Sequence, residues 1–118
     1  MPDDAVPHGH IVPMDDLDHT EHAHEFVGAE HGDVPLSVIL VHSRPGAGPK
    51  LHRHPYAEVF IVQEGEALFT VGDSEVSGPA GSVVVVPAGD AHRFQAAGDG
   101  TLRMTCIHAA GEMQTEWL

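Results

Sequence analysis

Thirteen glycines and nine prolines cut this 118-residue chain into short apolar runs. Breakers at that density exclude long helices, because Pro removes a helix hydrogen bond and Gly is entropically expensive to order. The apolar runs Val38–Val41 and Val83–Val86 are far shorter than a membrane-spanning helix, which takes about 20 apolar residues, and suit buried strands. Strands are predicted over Leu36–His42, Leu51–Gln63, Ala67–Val71, Glu75–Ser77, Ser82–Val86, His92–Gln95 and Leu102–His108, with Gly- and Pro-bearing turns between them. Pro55 inside the second stretch marks an edge, a bulge or a bend, since it has no N–H for a central ladder. Seven or eight strands at a spacing of roughly 8–12 residues imply an all-β sandwich or small barrel. No segment sustains a 3.6-residue apolar period, so any helix is expected as a turn near either end.

Charge narrows the partners. Eighteen acidic residues against five Lys and Arg give a net charge of −13. Nucleic acid is excluded, because neutralising phosphates takes clustered Lys and Arg, and so is an anionic membrane surface. The charge is also uneven. Residues 1–33 hold nine of the acidic residues, six of the eleven His and no Lys or Arg. Residues 1–20 are read as a solvated acidic, His-rich arm, and residues 21–118 as one β-barrel domain. Cys106 is the only cysteine, so no disulfide forms within the chain and a reducing cytoplasm is expected. The first basic residue is Arg44, so no secretory signal is expected.

The chemistry concentrates in Gly46–Gly65. His52 and His54 are two apart and share a face of an extended strand; Glu58 has the same parity and joins them if the strand continues without a bulge. Two imidazoles and a carboxylate form the nucleus of a divalent-metal site, and His92, after the Pro87-Ala88-Gly89 turn, is the best fourth ligand. Three nitrogens and one oxygen suit Fe, Mn, Co, Ni, Cu or Zn rather than Ca or Mg. An octahedral ion would keep two positions open.

These residues resemble a known family. Gly46, His52, His54, Glu58 and Gly65 match the first cupin motif, G(X)5HXH(X)3E(X)6G, and Gly81, Pro87, Gly89 and His92 match the second, G(X)5PXG(X)2H. The motif residues keep the family's spacing, and the resemblance extends over about residues 34–110. It implies a small single-domain cupin with a jelly-roll β-barrel, in which His52, His54, Glu58 and His92 bind the metal. One position departs: the second motif usually ends in Asn where this chain has Ala96. That Asn is not a metal ligand in the family, so the departure bears on a local turn and not on the site. The Pro-Tyr-Ala after His54 and the Trp117-Leu118 end resemble a subgroup of bacterial small cupins without an assigned reaction.

Phe60, Val62 and Phe94 share parity with the ligands of their own strands; with Met104 they are expected in the barrel interior, as core and as the apolar wall of a pocket. His8-Gly9-His10 and His22-Ala23-His24 repeat the HXH spacing without a carboxylate four residues on, and are expected as surface histidines. His108 is expected in a structural or pocket-rim position rather than as a ligand, and His31 and His42 receive no role. Arg53 and Arg93 should face away from the ligands and make salt bridges. Cys106 reads as a small buried residue.

A divalent ion with one carboxylate ligand carries net charge +1 and favours an anionic or chelating oxygen ligand. The resulting expectation is a metal-dependent enzyme on a small oxygen-bearing organic substrate, either dioxygenase-like or an isomerase or lyase using Lewis acidity. The alternative is a non-catalytic module binding a metal or small molecule. A homodimer is expected from the family resemblance, from apolar edge strands and from the Glu116-Trp117-Leu118 tail, unless Trp117 folds back on its own barrel.

Overall fold

The computed structural model describes residues 9–118, in which eleven strands form two antiparallel sheets. The strands are β1 (Asp18–His19), β2 (Ala23–Phe26), β3 (Ser37–Ser43), β4 (His52–Arg53), β5 (Glu58–Glu64), β6 (Glu66–Val71), β7 (Ser74–Pro79), β8 (Val83–Val86), β9 (His92–Ala97), β10 (Leu102–His108) and β11 (Glu116–Trp117). One sheet runs in the order β1-β2-β3-β10-β5-β8 and the other in the order β11-β4-β9-β6-β7. This is a double-sheet arrangement of jelly-roll type. Two 3-10 turns, Met14–Asp16 and Gly28–Glu30, are the helical elements among the described residues, and no helix there is long and apolar enough to cross a membrane.

Alternation along the strands builds the core. Phe60 and Val62 of β5, Met104 and Cys106 of β10 and Val41 of β3 point inward from the first sheet. Ala67 and Phe69 of β6 and Phe94 and Ala96 of β9 meet them from the second. Phe60 and Phe69 cross edge-to-face with ring centroids 5.0 Å apart, a geometry favoured by the ring quadrupole. The turns that join these strands need left-handed backbone: the motif glycines Gly46, Gly65, Gly81 and Gly89 all have φ between 81° and 90°.

Three differences from the sequence reading matter. The stretch Leu51–Gln63 is not one strand. The chain leaves β4 after Arg53, turns through Pro55, and enters β5 in the opposite sheet. Second, β1 and β2, which carry no alternating apolar pattern, form by pairing onto β3, with Ala23 opposite Val41 and Phe26 opposite Val38. Of the arm read over residues 1–20, residues 1–8 (His8 included) lie outside the described residues, while Leu17 is buried and β1 pairs with β2. Third, β11 pairs with β4, with Trp117 opposite His52.

Candidate metal centre

The core is apolar at one end and polar at the other. His52, His54, Glu58, His92 and His108 are all buried, none more than 6% exposed. Both sheets contribute: His52 and His92 are directly opposed on β4 and β9, and Glu58 is directly opposed to His108 on β5 and β10. His54 stands in the turn between them, and its carbonyl accepts a 2.8 Å bond from the Gly89 N–H, so the second-motif glycine fixes the backbone of a first-motif histidine.

The structure brings the four sequence-selected residues together. One donor atom from each of His52, His54, Glu58 and His92 lies within 4.8 Å of every other, a group able to hold a metal ion. Each imidazole is oriented by a carbonyl. His52 Nδ1 donates to Lys50 O at 2.7 Å, His54 Nδ1 to Gln114 O at 2.7 Å and His92 Nδ1 to Asp90 O at 2.9 Å. A carbonyl only accepts, so these contacts place the proton on Nδ1 and leave Nε2 as the free, inward-facing nitrogen.

Glu58 is the hub. Its Oε1 lies 3.1 Å from His92 Nε2 and 3.2 Å from His54 Nε2, and its Oε2 lies 3.1 Å from His108 Nε2. The last two contacts lack hydrogen-bond alignment, so His54 Nε2 and His108 Nε2 are buried nitrogens without an aligned partner. For His54 and His92, whose Nδ1 donates to a carbonyl, a neutral imidazole sets an acceptor against the carboxylate. Only a second proton on the ring or a cation between the groups makes that arrangement favourable. Three imidazoles and one carboxylate around a common centre fit a transition-metal ion.

The titration tendencies follow from the same contacts. Burial pushes the Glu58 carboxyl up, but the imidazoles of His108, His54 and His92 outweigh it and hold the group well below the usual carboxylate range. Burial lowers His52, helped by His92 and His54 beside it and opposed by its bond to the Lys50 carbonyl. Burial also acts to lower His54, yet Glu58 and the Gln114 carbonyl reverse the balance and raise it.

Beside the cluster opens a cavity of about 670 Å³. His52, His54 and Glu58 reach its surface, and Ile39, Val41, Phe94, Met113 and Trp117 supply apolar wall. Of the four side chains expected in the interior, Phe94 borders the cavity, whereas Phe60, Val62 and Met104 belong to the closed apolar core, each 1% exposed. The Trp117 ring packs on His52, with centroids 5.1 Å apart. Arg53 faces outward and makes a two-pronged ion pair with Glu116 at 2.9 and 3.1 Å; Arg93 bonds Gln95 rather than a carboxylate.

His108 lines the cavity, in keeping with the structural or pocket-rim position expected of it, while Tyr56, Glu25 and His22 were not singled out for the site along the chain. His108 joins Glu58, and Tyr56 O–H donates to His108 Nδ1 at 2.8 Å while accepting the Gln114 N–H at 3.2 Å. Glu25 and His22 line the cavity from the N-terminal segment. No motif signals them, and only the pairing of β2 with β3 carries them there. The HXH repeat at His22 splits: His22 sits in the bend before β2 and turns to the cavity, while His24 bonds His42 at 3.1 Å. His10 is exposed.

The family profile described as Cupin domain matches residues 39–108, more than half of the chain. The chain belongs to the cupin family. Among solved structures, a cupin-like protein from Thermotoga maritima is 28% identical with a TM-score of 0.72, over 81% of this cupin and 74% of that chain. The oxalate decarboxylase of Bacillus subtilis, described with Mn(II) centres, is 25% identical with a TM-score of 0.73, over 85% of this cupin and 29% of that chain. An oxalate oxidase is 22% identical with a TM-score of 0.71, over 81% of this cupin and 54% of that chain; at that identity the likeness is one of fold. This cupin thus spans about half or less of the length of the two oxalate enzymes. No curated protein matches it.

Proposed function

We propose that this cupin binds a divalent transition-metal ion through His52, His54, Glu58 and His92, and is an enzyme acting on a small oxygen-bearing organic molecule. The observation that carries the reading is the opposition of inward Nε2 atoms to the Glu58 carboxylate, within a cluster whose donor atoms all lie inside 4.8 Å. When bound, the ion supplies Lewis acidity toward substrate oxygen and, if redox-active, one-electron chemistry with dioxygen. Fe, Mn, Co, Ni, Cu and Zn all suit the donor set. The protein's own share is positioning. The Lys50, Gln114 and Asp90 carbonyls fix three rings, His108 Nε2 lies 3.1 Å from one oxygen of Glu58, and the apolar wall limits water.

Metal analysis of untagged protein tests the site: about one transition-metal ion per chain is expected, falling below about a tenth in His52→Ala. No bound metal in the wild type would remove the reading. Anaerobic Fe(II) loading followed by oxygen uptake with diketones, catechols and keto acids tests dioxygenase chemistry. Consumption of the same compounds without oxygen uptake would indicate an isomerase or lyase. Tight binding without turnover would indicate a binding module.

A homodimer joined through the outer face of the six-stranded sheet belongs to the same proposal. Two rows of directly opposed residues cross that face: Val38, Ile107, Val59 and Val85, and Leu40, Thr105, Ile61 and Val83. Val83 and Val85 are each 60% exposed at its edge, an apolar surface suited to a second copy. The tail lies apart from that face, in the other sheet, with Trp117 paired opposite His52 and 63% exposed. Sedimentation of wild type and of Val83→Lys checks it; a monomeric wild type rejects the dimer. The single buried Cys106 suits a reducing compartment such as the cytoplasm.

A further inference from the structure

We propose that the cavity selects an apolar-bodied oxygen chelator that brings at most one negative charge, such as an enolisable diketone, and disfavours a small dianion such as oxalate. This rests on the metal-site reading above. Of the five Lys and Arg, none lines the cavity. Arg44 pairs with Glu21 on the surface at 3.0 Å, and Arg103 with Glu64 at 3.5 Å. Arg93 bonds Gln95, and Lys50 is exposed, its backbone carbonyl rather than its amine serving His52. Arg53 lies on the other side of the C-terminal segment. Along that segment Met113, Thr115 and Trp117 reach the cavity, whereas Glu116 pairs with Arg53 beside a smaller depression.

Of the Asp, Glu, Lys and Arg side chains, the two that face the cavity are both acidic. Glu58 stands at its floor and Glu25 on its wall, with His22 at the side of Glu25's strand. A divalent ion therefore leaves the lined space near neutrality, since +2 is offset by two carboxylates. A monoanionic chelate adds one charge to that balance. A dianion adds two, with no guanidinium or ammonium to meet the second carboxylate in a space partly closed to water. Size points the same way. The cavity volume of about 670 Å³ lies within the range of sites for drug-sized ligands, far more than a two-carbon diacid fills. Ile39, Val41, Phe94 and Trp117 of its wall match an aryl or alkyl body, and the hydrogen-bonding side chains beside them, His22, Ser43, His108 and Thr115, include no Lys or Arg to meet a second carboxylate. The likeness of fold to oxalate enzymes therefore does not carry their substrate to this chain.

The test is titration of the Co(II)-loaded full-length protein at pH 8 with benzoylacetone and, separately, with oxalate, followed through the visible cobalt bands, with metal retention measured afterwards. The diketone is expected to bind at least about tenfold more tightly than oxalate. Glu25→Gln, which removes one charge and almost no volume, is expected to raise oxalate affinity by about threefold or more and so narrow the gap. Oxalate binding as tightly as the diketone would overturn the inference and leave the metal site standing, as would failure of both to bind. Oxalate affinity unmoved by Glu25→Gln would overturn the charge argument. Absence of one-to-one cobalt uptake would overturn the metal-site reading itself.

Discussion

The two ends of the barrel interior are buried to the same degree and built from opposite chemistry. Phe60, Phe69 and Leu102 are no more than 1% exposed at one end; His92, Glu58 and His54 are 1%, 4% and 4% exposed at the other. The apolar end follows from burial alone, since each buried aromatic or aliphatic side chain stabilises the fold by about 1.5–3 kcal/mol. The polar end does not. Burying a carboxylate with several imidazoles is unfavourable unless each is paired, and a core of similar volume built from Leu and Phe would avoid that cost. The Nδ1 bonds to Lys50, Gln114 and Asp90 offset part of it. The polar end therefore costs stability where the apolar end supplies it, which supports the proposed role of its Nε2 atoms as metal ligands.

The sharpest way to break the contrast is to empty the apolar end. Phe69→Ala should lower unfolding free energy by about 3–5 kcal/mol in urea denaturation, while the protein that remains folded keeps its metal. A loss of metal in step with stability would mean that the two ends are one unit. At the polar end, Glu58→Gln should reduce metal affinity at least about tenfold, read by competition with a chromophoric chelator. Unchanged affinity would show that the carboxylate is not part of the donor set. Cys106 lies between the ends, buried, its thiol pushed up by burial first and by the Glu58 carboxylate second. Below that raised pKa the thiol stays protonated, so native protein at pH 8 should react with iodoacetamide at least about tenfold more slowly than unfolded protein. Equal rates would mean that the interior is open to reagent. Tyr56→Phe deletes the hydroxyl that His108 accepts from, and should destabilise by about 1 kcal/mol while weakening metal binding by less than Glu58→Gln does. The smallest effect is expected at Arg53→Ala, which breaks an exposed ion pair with Glu116; any loss should appear at low salt and vanish at high salt. A large, salt-independent loss would show that this pair holds β11 in place.

Much of the apolar end was legible along the chain. Breaker spacing placed six of the strands within a few residues, β3 and β6 to β10, because a turn and an alternating strand are local events. The N-terminal strands were not legible. Ala23–Phe26 carries two charged or titratable residues in four and becomes a strand only because β3 offers it an edge.

The four candidate metal ligands were picked out by motif spacing and by shared strand parity, and the structure corrects the second reason. Shared parity along one strand does not bring Glu58 to His52; Pro55 ends that strand, and the two residues converge because they stand on facing sheets. What the amino-acid sequence determined by itself is therefore the all-β class and the four ligand-type residues, since turn chemistry and motif spacing are written in neighbouring residues. What only the tertiary structure decided is the environment of those four. Tyr56 and His108 are 52 residues apart, and His54 and Gln114 are 60 apart. Glu25 reaches the cavity through a strand with no motif of its own. Contacts of that separation depend on how the sheets close over one another, which no local pattern encodes.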